Sequence, residues 1–79
     1  MMQITAQLFG ELKKYSNSPG EKSWAGSLPE GSTITSLMDA IGFPGERVRL
    51  VLVNDRLAGL ETVLEDSDEV SFLTLLGGG

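Results

Sequence analysis

The chain has 79 residues, of which 41% are hydrophobic and 22% are charged, and its formal net charge is −5. This length and composition are typical of one small globular domain, and the negative charge disfavours nucleic acid and anionic membranes as ligands. The chain has no cysteine and no histidine, which excludes a disulfide framework and catalysis by a thiol or an imidazole.

The N-terminal residues 1–9 predict a β-strand rather than a targeting segment. Apolar residues occupy alternate positions, which is the period of a half-buried strand. They are Met2, Ile4, Ala6 and Leu8. The segment has neither the positive leader nor the apolar core of a signal peptide, and no later apolar run approaches the roughly 20 residues of a membrane span. We therefore expect a cytoplasmic protein.

A short helical turn and a second strand are predicted next. Residues 11–16 fit a single helical turn, and residues 17–20 have the composition of a loop. Residues 22–28 predict a weaker strand, in which Gly26 indicates a bulge or a close approach of the backbone. Trp24 in this strand is expected to serve packing rather than recognition.

The element with the strongest pattern is a helix that begins after Ser32 or Thr33 and ends at Gly42. Its apolar residues follow the i, i+3, i+4, i+7 spacing of one helix face. They are Ile34, Leu37, Met38 and Ile41. A hydroxyl before the helix suits the N-cap, and the glycine suits a left-handed C-cap. A helix of about two and a half turns is not stable alone, so we expect it to pack on a sheet.

Residues 47–53 predict a strand with apolar side chains on both faces. Such a pattern is typical of a strand that is covered on both sides. Only one helix is available to cover the sheet, so one set of these side chains is expected to face water. The two alternatives are Val51 with Val53, or Leu50 with Leu52.

The remaining residues predict turns, an irregular segment and a last strand. Residues 54–55 and 66–69 have the composition of turns, and residues 70–75 predict the last strand. The segment 57–65 is predicted to be irregular. Three of its apolar residues are available to fill the core: Leu60, Val63 and Leu64.

The order strand, strand, helix, strand, strand predicts an α+β fold. One helix on one face of a mixed, four- to five-stranded sheet satisfies this order. Placing the first and last strands side by side at the centre makes them parallel, which is the β-grasp or ubiquitin-like arrangement. We expect a single domain over residues 1–76, followed by a flexible glycine tail over residues 77–79.

Four segments, spread over nearly the whole chain, carry a family resemblance. They are Leu8–Tyr15, Leu28–Ile34, Val51–Asp55 and Leu64–Val70. Together with the terminal glycines, they resemble the ubiquitin-like sulfur carriers of the MoaD/ThiS family. The second and fourth segments are similar to that family's "L-P-E-G-x-T-V" and "L-x-D-G-D-E-V". The first segment is most similar to the small subunit of molybdopterin synthase.

This resemblance implies that the working group is the C-terminal carboxylate. A partner enzyme related to ubiquitin-activating enzymes would adenylate it with ATP, and sulfur from a donor protein would replace AMP to leave a thiocarboxylate. The sulfur would pass to a precursor of molybdopterin, or of a tungsten or thiamin cofactor. The acceptor partner would be the large subunit of molybdopterin synthase or a thiazole synthase. The chain itself would bind no cofactor and would not act as an enzyme.

The tail differs from the family pattern in two respects. It ends in three glycines where the family usually has two, and leucines precede them where the molybdopterin branch has "P-P-V". Either Gly79 carries the reactive carboxylate, or its removal leaves Gly78 as the working end. Without side chains, Gly77 and Gly78 fit a channel that excludes other residues. The alternative is that these glycines are only a flexible terminus.

A docking patch is predicted on the face of the sheet away from the helix. If Val51, Val53, Val70 and Phe72 face the helix, alternation points the intervening leucines outward. With Leu76, these leucines would form an apolar patch of the kind that marks an interaction site. They are Leu50, Leu52, Leu73 and Leu75. Arg47 and Arg49 would lie at its margin. In the alternative, the leucines form the core and the valines are exposed.

Other functions compete with the sulfur carrier. A ubiquitin-like protein modifier would be joined to other proteins through its C-terminal glycine, and a docking domain would never carry sulfur. An acidic group either steers a basic partner or is a solvated turn: Glu61, Glu65, Asp66, Asp68 and Glu69. It lacks the spacing of a calcium loop, so we expect no metal. An enzyme has the least support, because no nucleophile–base pair is present.

Overall fold

The computed structural model describes residues 1–17, 22–42, 48 and 50–73. Its elements, in chain order, are β1 Met2–Leu8, a 3₁₀ helix Gly10–Tyr15, β2 Ser23–Leu28, α1 Ile34–Ile41, β3 Leu50–Val53, β4 Arg56–Leu57 and β5 Glu69–Leu73. Neither of the helices in these ranges is long and apolar enough to cross a membrane. The proposed boundary between domain and tail lies outside the described residues.

The five strands form one mixed sheet in the order β2-β1-β5-β3-β4. The first and last strands are neighbours at the centre and run parallel, whereas every other neighbouring pair is antiparallel. With α1 packed on one face, this is a β-grasp fold. The predicted fold class and the central parallel pair are therefore confirmed.

One hydrophobic core lies between the sheet and α1. The strands contribute every second residue, as the alternation in β1 predicted, and α1 contributes Ile34, Leu37 and Met38. The most central aromatic side chain is Phe72 of β5, which is fully buried. Leu12 of the 3₁₀ helix is also buried, so the predicted helical turn after β1 closes one end of the core.

The N-terminus of α1 is capped both locally and by a distant loop. Thr33 is the N-cap: its side chain accepts a hydrogen bond from the Ser36 N–H at 3.3 Å. The two N–H groups between the N-cap and Ser36 donate to carbonyls of the loop at 58–65: Ile34 to Thr62 and Thr35 to Leu60. Three N–H groups that a helix start leaves without partners are thereby satisfied. At the other end Gly42 has φ 98°, the left-handed cap that the sequence predicted.

At Gly26 a side chain packs closely against the backbone, and the strand has no bulge. The pairing of β1 with β2 continues through Ile4 and Gly26 without an inserted residue. A Cβ atom at Gly26 would lie 2.5 Å from the ring of Trp24, so only glycine leaves room for that ring. Trp24 is half-buried and packs against the core, as expected.

Two predicted strands have different bounds in the structure. The described part of the strand expected at 47–53 is Leu50–Val53, and Arg47 lies outside the described residues. The strand expected at 70–75 begins one residue earlier, at Glu69, and its described part ends at Leu73. The backbone N–H of Glu69 donates to the side chain of Asn54, which draws this residue into the sheet.

The prediction that 57–65 is irregular was wrong at its start. Asn54 and Asp55 both have positive φ, 52° and 69°, the conformation of a two-residue type I′ hairpin. This turn folds the chain back, so that Leu57 pairs with Leu52.

The same segment fills the core with one leucine and not with three apolar residues. Leu64 is 2% exposed, whereas Leu60 and Val63 are 49% and 58% exposed. Val63 pairs with Thr33 in an isolated β-bridge, and alternation from that bridge points Leu64 inward and Val63 outward.

Candidate docking face

The sheet has an open face opposite α1, and three of the predicted docking leucines lie on it. Leu50 is opposite Leu73 across the antiparallel pair of β3 and β5, and Leu52 is opposite Ser71. The alternate residues Val51 and Phe72 are buried in the core. The structure therefore favours the arrangement in which the valines pack under the helix and the leucines face outward.

The other predicted site residues lie outside the described residues. They are Arg49, Leu75, Leu76, Gly77, Gly78 and Gly79. Their roles stay predictions.

Leu57 is a member of this face that the sequence analysis missed. It lies beside Leu52 in the pair of β3 and β4, so both side chains are on the same face. It is 72% exposed, more than any other leucine among the described residues. The Asn54–Asp55 dipeptide could have indicated it, because a two-residue hairpin turn pairs the residues after it with those of the preceding strand.

Phe9 is a second residue that the analysis missed. Its backbone is extended and its N–H donates to the Phe72 carbonyl at 3.3 Å, so it continues the parallel pairing of β1 with β5. Because Leu8 is beside Phe72, the next residue lies beside Leu73 on the open face. Phe9 is exposed. Extending the alternation of Gln3, Thr5 and Gln7 by two residues would have found it.

The open face is thus divided into an apolar half and a polar half. The apolar half, over β5, β3 and β4 with the end of β1, is formed by Phe9, Leu50, Leu52, Leu57 and Leu73, with Ser71 opposite Leu52. The polar half, over β1 and β2, consists of Gln3, Thr5, Gln7, Ala25 and Ser27. The polar half is held by its own hydrogen bonds, such as Gln3 Nε2 to Ser27 Oγ at 2.8 Å.

The apolar half is close in sequence to the C-terminus. Leu73 is the last described residue of β5, and residues 74–79 separate it from the terminal carboxylate. A chain of this length spans at most about 20 Å when fully extended. A protein that binds the apolar half is therefore within reach of the carboxylate.

Two carboxylates of the acidic group are structural. Asp66 Oδ1 accepts a hydrogen bond from the Gln3 N–H at 2.7 Å. Asp68 accepts from Asn54 Nδ2 at 2.9 Å and from the Glu65 N–H at 2.8 Å. These bonds join the turn before β5 to β1 and to the β3–β4 hairpin. Within the described ranges, no three acidic residues are arranged to hold a metal ion.

Residues 6–79 match the model of the ThiS family. The chain belongs to the ThiS family. The match begins within β1 and runs to the last glycine, so it includes the whole tail as well as most of the sheet. The resemblance to MoaD/ThiS carriers that the sequence predicted is therefore confirmed. No match to a curated protein sequence was found.

Solved structures with the same fold include a small archaeal modifier protein and subunits of molybdopterin converting factors. The ThiS-family chain is similar to H. volcanii small archaeal modifier protein 1, with TM-score 0.77 and 16% identity over 96% of this chain and 100% of that one. It is similar to a putative molybdopterin converting factor subunit 1 from Pyrococcus furiosus, with TM-score 0.73 and 19% identity over 96% and 100%.

A third similar structure is a protein–protein complex. It contains subunits 1 and 2 of the molybdopterin-converting factor from Helicobacter pylori 26695, with TM-score 0.63 and 21% identity over 99% of this chain and 100% of that one. At these identities the similarities show a shared β-grasp fold.

Proposed function

We propose that this ThiS-family protein is a sulfur carrier that acts with partner enzymes in the synthesis of a molybdopterin-type cofactor. The observation that carries the proposal is the apolar half of the open face, which includes Leu73, six residues before the terminal glycine. A domain that presents its own C-terminus needs a surface that fixes it on an enzyme. The chain's lack of histidine and cysteine fits a carrier whose partners hold the catalytic groups.

The proposed reaction begins at the terminal carboxylate of Gly79. A carboxylate oxygen attacks the α-phosphorus of ATP in the partner enzyme, and pyrophosphate leaves to give an acyl adenylate. Sulfur at the oxidation level of sulfide then attacks the acyl carbon and displaces AMP. The product is a thiocarboxylate, which donates sulfur to the cofactor precursor. If Gly79 is first removed, the same steps take place on Gly78.

The chain's own contribution is binding and presentation. The apolar half buries leucine side chains against the partner, which supplies binding free energy in proportion to the apolar area covered. Gly77 and Gly78 bring no side chain into the adenylating site. Leu75, Leu76 and Arg49 are proposed to extend the contact beside Leu73. ATP is a substrate of the partner and is not bound by the carrier alone.

The proposed partners follow from the family and from the similar complex. They are a ubiquitin-activating-type enzyme, a sulfur donor protein, and a large subunit that accepts the sulfur. The Helicobacter pylori complex, in which a similar subunit 1 is assembled with subunit 2, supports the large subunit of molybdopterin synthase over a thiazole synthase.

Exchange of pyrophosphate into ATP by the cognate activating enzyme tests the docking face. We expect the double variant Leu50→Ser/Leu73→Ser to weaken the apparent affinity by roughly tenfold or more, because two apolar contacts are lost. The matched control is Ala25→Ser, on the polar half of the same face. This variant should support the exchange reaction as well as the wild type does. Unchanged exchange in the double variant would show that the carrier docks elsewhere.

A ubiquitin-like modifier is the second candidate. The fold similarity to small archaeal modifier protein 1 favours it specifically. Both functions use the same adenylate, but a modifier transfers its terminal carbonyl to a lysine amine instead of accepting sulfur. Mass spectrometry of tryptic peptides distinguishes them, because a modifier leaves its C-terminal residues attached to lysines of other proteins.

A further inference from the structure

The net charge of the chain is concentrated in one segment. Residues 54–69 contain six of the eleven acidic residues and one of the six basic residues, which gives them a formal charge of −5. The rest of the chain is formally balanced. Among the described residues, the one ion pair joins the N-terminal ammonium to Glu30, so no described cation is paired with a carboxylate of this segment.

The same segment exposes apolar side chains on a rigid backbone. Leu60 and Val63 are about half exposed. The Leu60 carbonyl accepts hydrogen bonds from both the N–H and the hydroxyl of Thr35, each at 3.1 Å. The Leu64 N–H donates to the Ser32 carbonyl at 2.8 Å. These bonds join the backbone of the loop to the start of α1, so a partner would not have to order that backbone on binding.

A cleft of about 610 Å³ separates this loop from the β3–β4 hairpin. Its apolar lining includes Val53, Ala58 and Val63, and its acidic lining consists of Glu65 and Asp68. The donors to the Asp68 carboxylate in the described part of the chain, the Asn54 amide and the Glu65 N–H, are neutral, so they leave its negative charge in place. Arg56 also lines the cleft, so the lining contains two carboxylates and one cation.

We infer that this cleft, with Leu60 beside it, is a second docking surface, for a partner segment in which lysine or arginine flanks an apolar residue. The aliphatic stem of the basic residue would lie on Val53, Ala58 and Val63 while its charged end meets Glu65 and Asp68. The neighbouring apolar residue would cover Leu60. Of the apolar half of the open face only Leu57 lines this cleft, and the surface does not use the tail, so it does not depend on sulfur transfer.

The negative charge of this surface determines which kind of partner can bind to it. A second copy of the chain would bring an equally acidic surface against this one, and like charges oppose such a contact. Nucleic acid is excluded for the same reason. A basic protein segment is the occupant that gains both from the charge and from the exposed apolar side chains.

Titration of the ¹⁵N-labelled full-length protein with a synthetic amphipathic peptide of leucine and lysine tests the inference. We expect amide shifts centred on residues 58–65. The variant Glu65→Gln, which removes one of the two carboxylates that line the cleft, should weaken binding by roughly twofold to fivefold, and Leu60→Ser should also weaken it. Asp39→Asn, which removes an exposed carboxylate on α1, is the matched control and should bind like the wild type. Core amides report whether each variant is folded.

Several results would overturn the inference. One is equal binding of the counterpart peptide in which glutamate replaces each lysine. Others are absence of binding, shifts centred on Leu50 and Leu73, or binding unaffected by Glu65→Gln. Shifts at 58–65 that appear on concentrating the protein without peptide would assign the surface to a second copy instead.

Discussion

Replacing Leu64 with alanine tests how the loop at 58–65 closes the core. Leu64 is 2% exposed and belongs to the core cluster, whereas Leu60, four residues earlier in the same loop, is 49% exposed. Truncating a buried leucine removes its transfer free energy and leaves a cavity, at a cost of about 2–5 kcal/mol. Truncating Leu60 removes side-chain atoms that are largely in water, so we expect less than about 1 kcal/mol.

The Leu64 effect is large relative to the whole stability. A chain of 79 residues has an unfolding free energy of about 4–12 kcal/mol by the usual value per residue. A loss of about 3 kcal/mol is therefore a quarter or more of the total. For a domain of this size it lowers the Tm by more than about 12 °C.

Urea unfolding followed by tryptophan fluorescence measures both variants. Trp24 is the one tryptophan of the chain and packs against the core, so its emission reports the global transition. We expect the midpoint to fall by about 1–3 M for Leu64→Ala, and to change little for Leu60→Ala. Equal losses in the two variants, or a loss below about 1 kcal/mol for Leu64→Ala, would refute the assignment of Leu64 as the loop's core residue.

Three further substitutions test local features. Gly26→Ala should displace the Trp24 ring, with a shifted emission maximum and a loss of about 1–3 kcal/mol from overpacking; an unchanged spectrum would contradict the close approach. Ser67 has φ 70°, so Ser67→Gly should raise the free energy of unfolding in urea titrations by roughly 0.5–1 kcal/mol, whereas Ser67→Ala should not raise it. Thr33→Ala should cost about 1 kcal/mol through the lost N-cap, and Thr33→Ser should restore it; equal stability of the two variants would argue against the cap.

The elements with a strong local pattern were predictable. Alternation identified the buried side of β1, and the spacing of the α1 residues together with a hydroxyl before them and Gly42 after them bounded the helix. These signals come from neighbours in sequence, and the core formed from the residues that they selected. The faces of β3 were left as two alternatives, which the burial of Val51 decides.

Features that depend on distant residues were not predictable. β4 has two residues, too few for any alternation, so Leu57 could be placed only through the hairpin before it. Asp66 accepts from the backbone of a residue 63 positions away, a contact that no local pattern indicates. Leu60, Val63 and Leu64 are alike in composition, and only the bridge to Thr33 determines which of them is buried.

The candidate site likewise has a part that was predictable from local sequence patterns and a part that was not. The leucines on β3 and β5 followed from alternation, whereas the chemistry of the tail came from the family resemblance, because a run of glycines carries no reactive side chain. Phe9 was missed although it extends the alternation of β1, and Leu57 was missed because β4 is too short to show an alternation. The tail's chemistry is the part of the account that depends most on direct measurement.

The intact mass of the full-length protein is that measurement. After incubation with ATP, the cognate activating enzyme and its sulfur donor, we predict a mass increase equal to the difference between one sulfur and one oxygen atom, located in the C-terminal peptide. A species that has first lost one glycine and then gained sulfur would identify Gly78 as the working end. An unchanged mass, with an enzyme that forms the adenylate, would contradict the proposal that this ThiS-family chain carries sulfur.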